Sequence, residues 1–248
     1  LVGEENKKQK KMHEACLKAL KACEDKLKPE NQIGEVFDIH AKVFDELGYK
    51  KSNMEFKKGY IECLEELNIS NNSIDIVVSN CVVNLSPDKK KVIQGVYNLL
   101  KEGGSFYFSD VYCDRRLDES VTNNKVLWGE CIAGALYEQD FKRICNKIGF
   151  TELREIERSV IEVTDPKLKS IVGNAKFYSI TYNLFKIKDL ETLCEDYGQY
   201  AIYNGTIPTM EHYYILDNHH KFITNKPMLV CGNTTDMLSK SWLSKHFK

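Results

Sequence analysis

The 248-residue sequence lacks an excess of charge of either sign and lacks a long apolar run. Lysine and arginine total 35 and aspartate and glutamate total 36, so the formal net charge is −1. A strongly basic surface for nucleic acid or anionic lipid is therefore not expected. No apolar run approaches the roughly 20 residues that a membrane-spanning helix needs. The first residues, LVGEENKKQKK, also lack the apolar segment of a secretory signal. These absences predict no nucleic-acid partner and no membrane partner.

Cysteine, by contrast, is plentiful. The nine cysteines are an odd and large number for a chain with 42% apolar and 29% charged residues. Because no secretory signal is visible, we expect reduced thiols in the cytoplasm, and metal binding or catalysis is favoured over a disulfide framework.

Residues 74–137 contain the clearest pattern in the chain. The apolar, β-branched run from Ile74 to Val78 predicts a strand of a parallel sheet that ends at Ser79-Asn80-Cys81. A helix is expected to start near Pro87 with Ser86 as N-cap and to stop at Gly103-Gly104, and a second strand follows over 106–112. Ligands of such sheets bind beyond the carboxyl ends of the strands. Cys81 is therefore expected at the rim where chemistry occurs.

Several longer strings in this region resemble one enzyme family. The strings SNCVVNLSPDKKKV, FSDVYCDRRL and LWGECIAGALY resemble the arsenite methyltransferase family, within the class I S-adenosylmethionine-dependent methyltransferases. The resemblance continues through GNAKFYSITYNLFK, CEDYGQYAIYNGTIP and VCGNT, and covers the chain from about residue 46 to its end.

The resemblance implies an α/β fold, a partial class I methyltransferase (Rossmann-like) sheet with an appended C-terminal α+β domain. We expect an atypical helical N-terminal segment over 1–52, an incomplete Rossmann-like core over 53–155 and the C-terminal domain over 156–248. Strand-like residues at 160–164, 177–185 and 200–203 are expected to form a small antiparallel sheet near the active-site rim, with a helix over 166–171.

The family's glycine-rich turn, which holds the methyl donor, is not visible in the sequence. Before residue 48 the only glycines are Gly3 and Gly34, and neither follows a strand-like run. In the family a string like LVGE comes shortly after that turn. We therefore expect that the sequence lacks its true start and that residues 5–35 replace the segment with the second strand and its acidic residue.

The N-terminal region has two helical patterns, over 5–28 and 36–47. Cys16 and Cys23 fall on one face of the first pattern, seven residues apart. They can meet a shared soft metal there, but small apolar core residues are the favoured interpretation.

Trivalent arsenic is soft and prefers thiolate ligands, and the resemblance implies that Cys81 and Cys131 are its dithiolate pair. From the residues alone, Cys131 is a packing residue in a helix-like stretch through Ala135. The resemblance also implies that the methyl donor lies against two strips of the chain, Tyr60-Ile61-Glu62 and Asn80-Cys81-Val82. From the residues alone, Glu62 complements a helix N-terminus.

A third arsenic ligand is uncertain. Where the family carries a further cysteine, this chain has Ala175 and Ile180. Cys194 is the candidate third sulfur, with Cys231 as the alternative, and the sequence does not choose between them. Three other cysteines are interpreted as packing, structural or surface residues, namely Cys63, Cys113 and Cys145. His219-His220 resembles a metal pair only weakly, since adjacent strand residues face opposite sides, and a turn role is favoured.

The resemblance implies methyl transfer from S-adenosylmethionine, as co-substrate, to thiolate-bound arsenic(III), with no tightly bound metal required. The expected partners are arsenite or its thiol conjugates and a cellular thiol reductant. Two alternatives remain open at this point: a non-catalytic protein that binds arsenic or another soft metal through thiols, and a non-functional fragment.

Overall fold

The computed structural model describes residues 57–248 and six earlier positions, 18, 21, 22, 42, 43 and 46, all six of them helical. Apart from these positions, the predicted helices over 5–28 and 36–47, and with them Cys16 and Cys23, lie outside the described residues. Everything below concerns the unit Lys58–Lys248.

One mixed sheet forms the centre of this unit. Its strands are β1 (Ile74–Asn80), β2 (Leu100–Cys113), β3 (Leu136–Tyr137), β4 (Leu153–Ile161) and β5 (Phe177–Phe185). The order is β1-β2-β5-β4, and β3 pairs with the end of β2. Strands β1 and β3 run parallel to β2, whereas β5 is antiparallel to both β2 and β4. The predicted α/β class I methyltransferase sheet is confirmed.

Within Lys58–Lys248 the structure has six α-helices. They are α1 (Lys89–Leu99), α2 (Glu119–Thr122), α3 (Lys125–Gly129), α4 (Glu138–Ile148), α5 (Pro166–Val172) and α6 (Gly232–Lys240). Short 3-10 helices cover Ile61–Leu67, Val83–Leu85 and Ser244–His246. No helix in the described part of the chain is long and apolar enough to cross a membrane.

The strand-helix-strand unit formed by β1, α1 and β2 is as predicted, but its helix boundaries differ. The N-cap of α1 is Asp88, whose carboxylate accepts a hydrogen bond from the Lys91 amide at 3.0 Å. Pro87 precedes the cap, and the Ser86 hydroxyl instead accepts from the Asp88 amide at 3.2 Å. The helix ends at Leu99, and Gly103 lies within β2 with φ +79°. Gly103 and Gly104 therefore shape an irregular strand and do not terminate the helix.

Aromatic side chains fill the core between the sheet and its helices. The rings of Phe106 and Phe108 stack at 4.1 Å, and Phe141 of α4 meets Phe108 edge-on at 5.7 Å. Val92, Ile93 and other apolar residues of α1 cover the same cluster. Each fully buried side chain of this size contributes about 1.5–3 kcal/mol, so the core fixes α1 and α4 against the sheet.

The C-terminal residues form a second core with two small antiparallel pairs. These are β6 (Gln199–Ile202) with β9 (Pro227–Val230), and β7 (Tyr213–Ile215) with β8 (Lys221–Ile223). The core includes Phe185, Tyr203, Phe222 and Met237. The Trp242 indole donates to the Ser105 hydroxyl at 3.2 Å, and Gly103 lies against the Lys240 carbonyl. This second core therefore packs at the amino end of β2.

Two expectations about the C-terminal strands were wrong. Residues 160–161 belong to β4 and residues 177–185 are β5, and both strands belong to the central sheet. The small sheets lie at the amino end of β2, whereas the expected rim lies at its carboxyl end. Strand-like composition does not specify a partner, and the heavily buried β5 needs cover on both faces. The predicted division into three domains stays a prediction.

Candidate functional site

The carboxyl end of β1 brings Cys81 to the rim of the sheet. Its amide donates to the Ser109 carbonyl of β2 at 2.9 Å, so Cys81 extends the ladder by one residue. Its φ is +52°, in the left-handed region that residues with a side chain rarely occupy. The chain therefore turns sharply after Cys81 and enters the 3-10 helix Val83–Leu85, leaving the thiol exposed.

Cys131 meets Cys81 although 50 residues separate them. The Cys131 sulfur lies 3.9 Å from the Cys81 carbonyl oxygen. Cys131 also has a left-handed backbone, with φ +59°. Such a conformation costs about 1–3 kcal/mol per residue, and this strain is found mostly at functional sites. Both cysteines at this rim therefore have a backbone conformation that the surrounding fold must hold in place.

The expected helix through Cys131 and Ala135 is not formed. Helix α3 ends at Gly129, and residues 130–135 form turns. Gly134 explains the path of this loop, since a Cβ there would lie 2.1 Å from the Asn84 carbonyl oxygen. The missing side chain lets the Cys131 loop approach the 3-10 helix after Cys81.

A buried carboxylate, Asp110 of β2, lies beneath the two thiols. Only 1% of Asp110 is exposed, and its oxygens accept hydrogen bonds from the amides of Asn84 at 2.9 Å and Val111 at 2.8 Å. Burial raises its pKa, and these hydrogen bonds and the Lys89 ammonium partly oppose that change. Burial lowers the pKa of Lys89, again opposed by Asp110. Asp110 therefore acts, after burial, on the pKa values of its titratable neighbours.

The cysteine thiols respond to this environment. Burial and the Asp110 carboxylate raise the pKa values of both Cys81 and Cys131 above their usual value. Both groups are therefore neutral thiols at neutral pH. A thiol binds a thiophilic element as its thiolate, so binding at these two sulfurs removes both of their protons.

The two strips of residues expected to contact the methyl donor are linked through one hydrogen bond near the loop after β1. Tyr60, Asn80 and Val82 are exposed, whereas Ile61 and Glu62 are half-buried. The Ser86 hydroxyl donates to the Glu62 carboxylate at 3.1 Å, which ties the 3-10 helix Ile61–Leu67 to the loop after β1. The exposed Tyr60 ring and the Val82 side chain suit an apolar, planar group beside a polar one.

The structure does not bring Cys194 or Cys231 to this rim. Cys231 lies 4.0 Å from the guanidinium of Arg154, on β4. Strands β2 and β5 separate β4 from β1, a distance of about 14 Å at 4.7–4.9 Å per strand. Cys231 also precedes α6, which packs at the amino end of β2. Within the described residues, no third sulfur lies with Cys81 and Cys131.

The remaining residues that the sequence singled out lie in apolar packing or in turns. Cys113 and Cys145 are fully buried, Cys63 is half-buried, and Ile180 is a buried residue opposite Asp110 on β5. Ala175 packs on the same apolar cluster as Cys131. The favoured turn role of the histidine pair holds for His220, whose ring bonds the Asp217 carboxylate at 2.8 Å. The described residues contain no group of three or more His, Cys, Asp or Glu side chains placed to hold a metal.

Sequence reasoning missed Asp110, Lys89 and Gly134 as parts of the site. The string F-S-D placed Asp110 at the end of a strand, but its burial beneath two thiols depends on the fold. Gly134 was visible only as a small residue in G-E-C-I-A-G.

Comparison with known proteins identifies the family of the chain. Residues 40–149 match a methyltransferase domain family, and residues 197–248 match the arsenite methyltransferase C-terminal domain family. An arsenic(III) S-adenosylmethionine methyltransferase from Chlamydomonas reinhardtii has a solved structure that is 53% identical, with a TM-score of 0.79. That match covers 86% of this chain and 72% of the algal chain.

Curated relatives show the same family. The arsenite methyltransferase of Aquipseudomonas alcaligenes is 48% identical over 85% of this chain, and that of Homo sapiens is 38% identical over 90%. The chain spans 60% of the bacterial protein and 58% of the human one. Two cysteines on a methyltransferase sheet, with relatives this similar, lead to one assignment: the chain belongs to the arsenite methyltransferase family.

Proposed function

We propose that this protein transfers a methyl group from S-adenosylmethionine to trivalent arsenic that Cys81 and Cys131 hold as thiolates. The observation that carries the proposal is the contact between these two cysteines, both in strained left-handed conformations at the carboxyl end of β1. The identity to arsenite methyltransferases supports the choice of substrate.

Arsenic binding fits the neutral state of the two thiols. Each thiol condenses with one hydroxyl of arsenous acid, so that an As–S bond forms, an As–O bond breaks and the thiol proton leaves in water. Because the raised pKa values keep both sulfurs protonated, this exchange neither takes up nor releases a proton at neutral pH. The soft sulfur ligands then raise the electron density on arsenic.

Methyl transfer needs alignment more than acid-base chemistry. S-adenosylmethionine, when bound, supplies an electrophilic methyl group on a positively charged sulfur. The lone pair of arsenic attacks in line, so no general base is required. Cys81 and Cys131 hold the nucleophile, and positioning of this kind is worth up to roughly 7–11 kcal/mol. The buried charge of Asp110 stabilises the positive charge that passes to arsenic.

The donor contacts in this proposal are Tyr60, Ile61, Glu62, Asn80, Cys81 and Val82. Arsenite or its thiol conjugates are the substrates, and a cellular thiol reductant keeps the two cysteines free. A cytoplasmic location belongs to the same proposal, since the seven cysteines among the described residues are all free thiols.

Two measurements on the reduced 248-residue chain test the proposal. Calorimetric titration with S-adenosylhomocysteine is expected to give micromolar binding, about −8 kcal/mol. Methylated arsenic, measured by mass spectrometry after incubation with arsenite and S-adenosylmethionine, is expected to disappear in both Cys81→Ser and Cys131→Ser. The control Cys145→Ala removes a buried thiol inside α4 and is expected to keep activity.

Retained methylation in either cysteine variant contradicts the site. Arsenite binding without donor binding by the folded chain contradicts the transferase and favours a thiol protein that only binds arsenic. Loss of methylation in Cys194→Ser would identify Cys194 as a third arsenic ligand and would contradict the two-thiol site.

A further inference from the structure

A second pair of cysteines meets at the amino end of the sheet, away from the arsenic site. The Gly232 amide donates to the Glu195 carbonyl at 2.9 Å, so residues 194–195 lie against residues 231–232. The two thiols act on each other's pKa values, so that the pKa of Cys194 is raised and that of Cys231 is lowered. Cys194 is exposed, and Cys231 is 7% exposed.

Cys231 has surroundings that stabilise a negatively charged sulfur. It is the N-cap residue of the nine-residue helix α6, and its sulfur lies 3.2 Å from the Thr234 hydroxyl. The buried guanidinium of Arg154 donates to it at 4.0 Å. Burial alone would raise the pKa of Cys231, but the bonds from Thr234 and Arg154, together with the neighbouring Cys194, lower it to about 7.

Arg154 is a fixed cation at this pair. Its guanidinium also bonds Asp217 at 2.9 Å and Glu152 at 3.0 Å, and it is 6% exposed. A permanent positive charge disfavours a bound metal cation. It favours thiolate chemistry, in which the sulfur acts as a nucleophile.

We propose that Cys194 and Cys231 are a disulfide-forming pair that reacts with small external disulfides such as glutathione disulfide. This reactivity goes beyond arsenic methylation and does not depend on it. The hydrogen bond from Gly232 to Glu195 holds the two backbone segments side by side, as an internal disulfide between them requires.

The reaction has two balanced exchange steps. In the first, the exposed Cys194 loses its proton to solvent and attacks the external disulfide, so a mixed disulfide forms and one thiolate leaves. In the second, the Cys231 thiolate attacks the Cys194 sulfur, so the internal disulfide forms and the second thiolate leaves. The two cysteines are oxidised, and the external disulfide is reduced to two thiols.

The test is peptide mapping of the 248-residue chain. Reduced protein is incubated with glutathione disulfide, quenched with iodoacetamide, digested without reductant and analysed by mass spectrometry. We expect one cross-linked peptide pair that contains Cys194 and Cys231, and its loss after treatment with dithiothreitol. Iodoacetamide labelling of both cysteines after this incubation, or a lasting glutathione adduct on Cys194, overturns the proposal.

Serine variants separate the two steps. Cys231→Ser is expected to stop at the first step and accumulate glutathione on Cys194, whereas Cys194→Ser gives no cross-link. The matched control Cys63→Ser, at a half-buried thiol in another part of the chain, keeps the cross-link. A Cys231→Ser protein that carries no glutathione on Cys194 overturns the assigned order of attack.

Discussion

Arg154 and Asp217 form an ion pair at 2.9 Å in which 7% of one side chain and 3% of the other are exposed. The pair joins β4 to the loop between β7 and β8, and so joins the central sheet to the second core. Breaking a buried pair leaves a charge without its partner, which is more costly than losing a surface pair.

Asp217→Asn is expected to lower the free energy of unfolding by about 3–5 kcal/mol, because Arg154 stays buried with less compensation. Urea denaturation measures the change. The matched control is Asp75→Asn, which breaks the exposed Lys101 pair, also at 2.9 Å, and is expected to cost under about 1 kcal/mol. Equal losses in both variants would contradict the role of burial.

Acid is expected to destabilise the protein through two carboxylates, Asp217 and Glu138. Burial would raise both pKa values, but hydrogen bonds from His220 to Asp217, and from Arg158 and Lys142 to Glu138, lower each to about 2. A lowered pKa in the folded state gives stability that is present above the unfolded value of about 4. That stability is lost as the pH falls from about 4 towards 2. Urea midpoints at pH 5, 4 and 3 test this, and Glu138→Gln is expected to flatten the decline.

Gly134→Ala is expected to weaken arsenite binding by at least about tenfold, which corresponds to a loss of about 1.4 kcal/mol or more in binding free energy. The new Cβ would meet the Asn84 carbonyl oxygen at 2.1 Å, so the loop must move and carry Cys131 away from Cys81. Gly129→Ala is the matched control, because no atom lies within 4 Å of its Cβ position. Arsenite titration monitored by thiol labelling compares the two, and equal affinities would contradict the proposed role of the close approach.

Asp110→Asn is expected to speed alkylation of Cys81 and Cys131 by iodoacetamide at pH 8. The carboxylate raises both thiol pKa values, so its removal increases the thiolate fraction of each. The same change is expected to slow methyl transfer, since the positive charge on arsenic loses its partner. Unchanged alkylation rates in a folded variant would show that Asp110 does not act on the thiols.

The sequence predicts those features that depend on neighbouring residues. The β1-α1-β2 unit and the position of Cys81 at a strand end follow from apolar periodicity and strand-end position. Pairing Cys81 with Cys131 required the family resemblance, because no local pattern joins residues 50 positions apart.

What the sequence could not supply depends on tertiary contact. The placement of β4 and β5 in the central sheet is set by partners far along the chain, and strand propensity carries no information about them. The left-handed turn at Cys131 replaced an expected helix because Gly134 allows an approach that only the folded loop reveals. Nothing in the sequence distinguishes Arg154 from the other charged residues, and only the fold shows that it is buried beside Cys231.

The left-handed backbone at Cys81 and Cys131 lowers the stability of the fold at the two positions whose sulfurs the proposed arsenic binding needs. Asparagine tolerates that conformation better than cysteine does, so selection for thermostability alone would favour its replacement at both positions. A stabilised variant obtained in that way would keep the fold and discard the two sulfurs. Engineering programmes for this protein therefore need to hold both cysteines fixed and seek stability elsewhere.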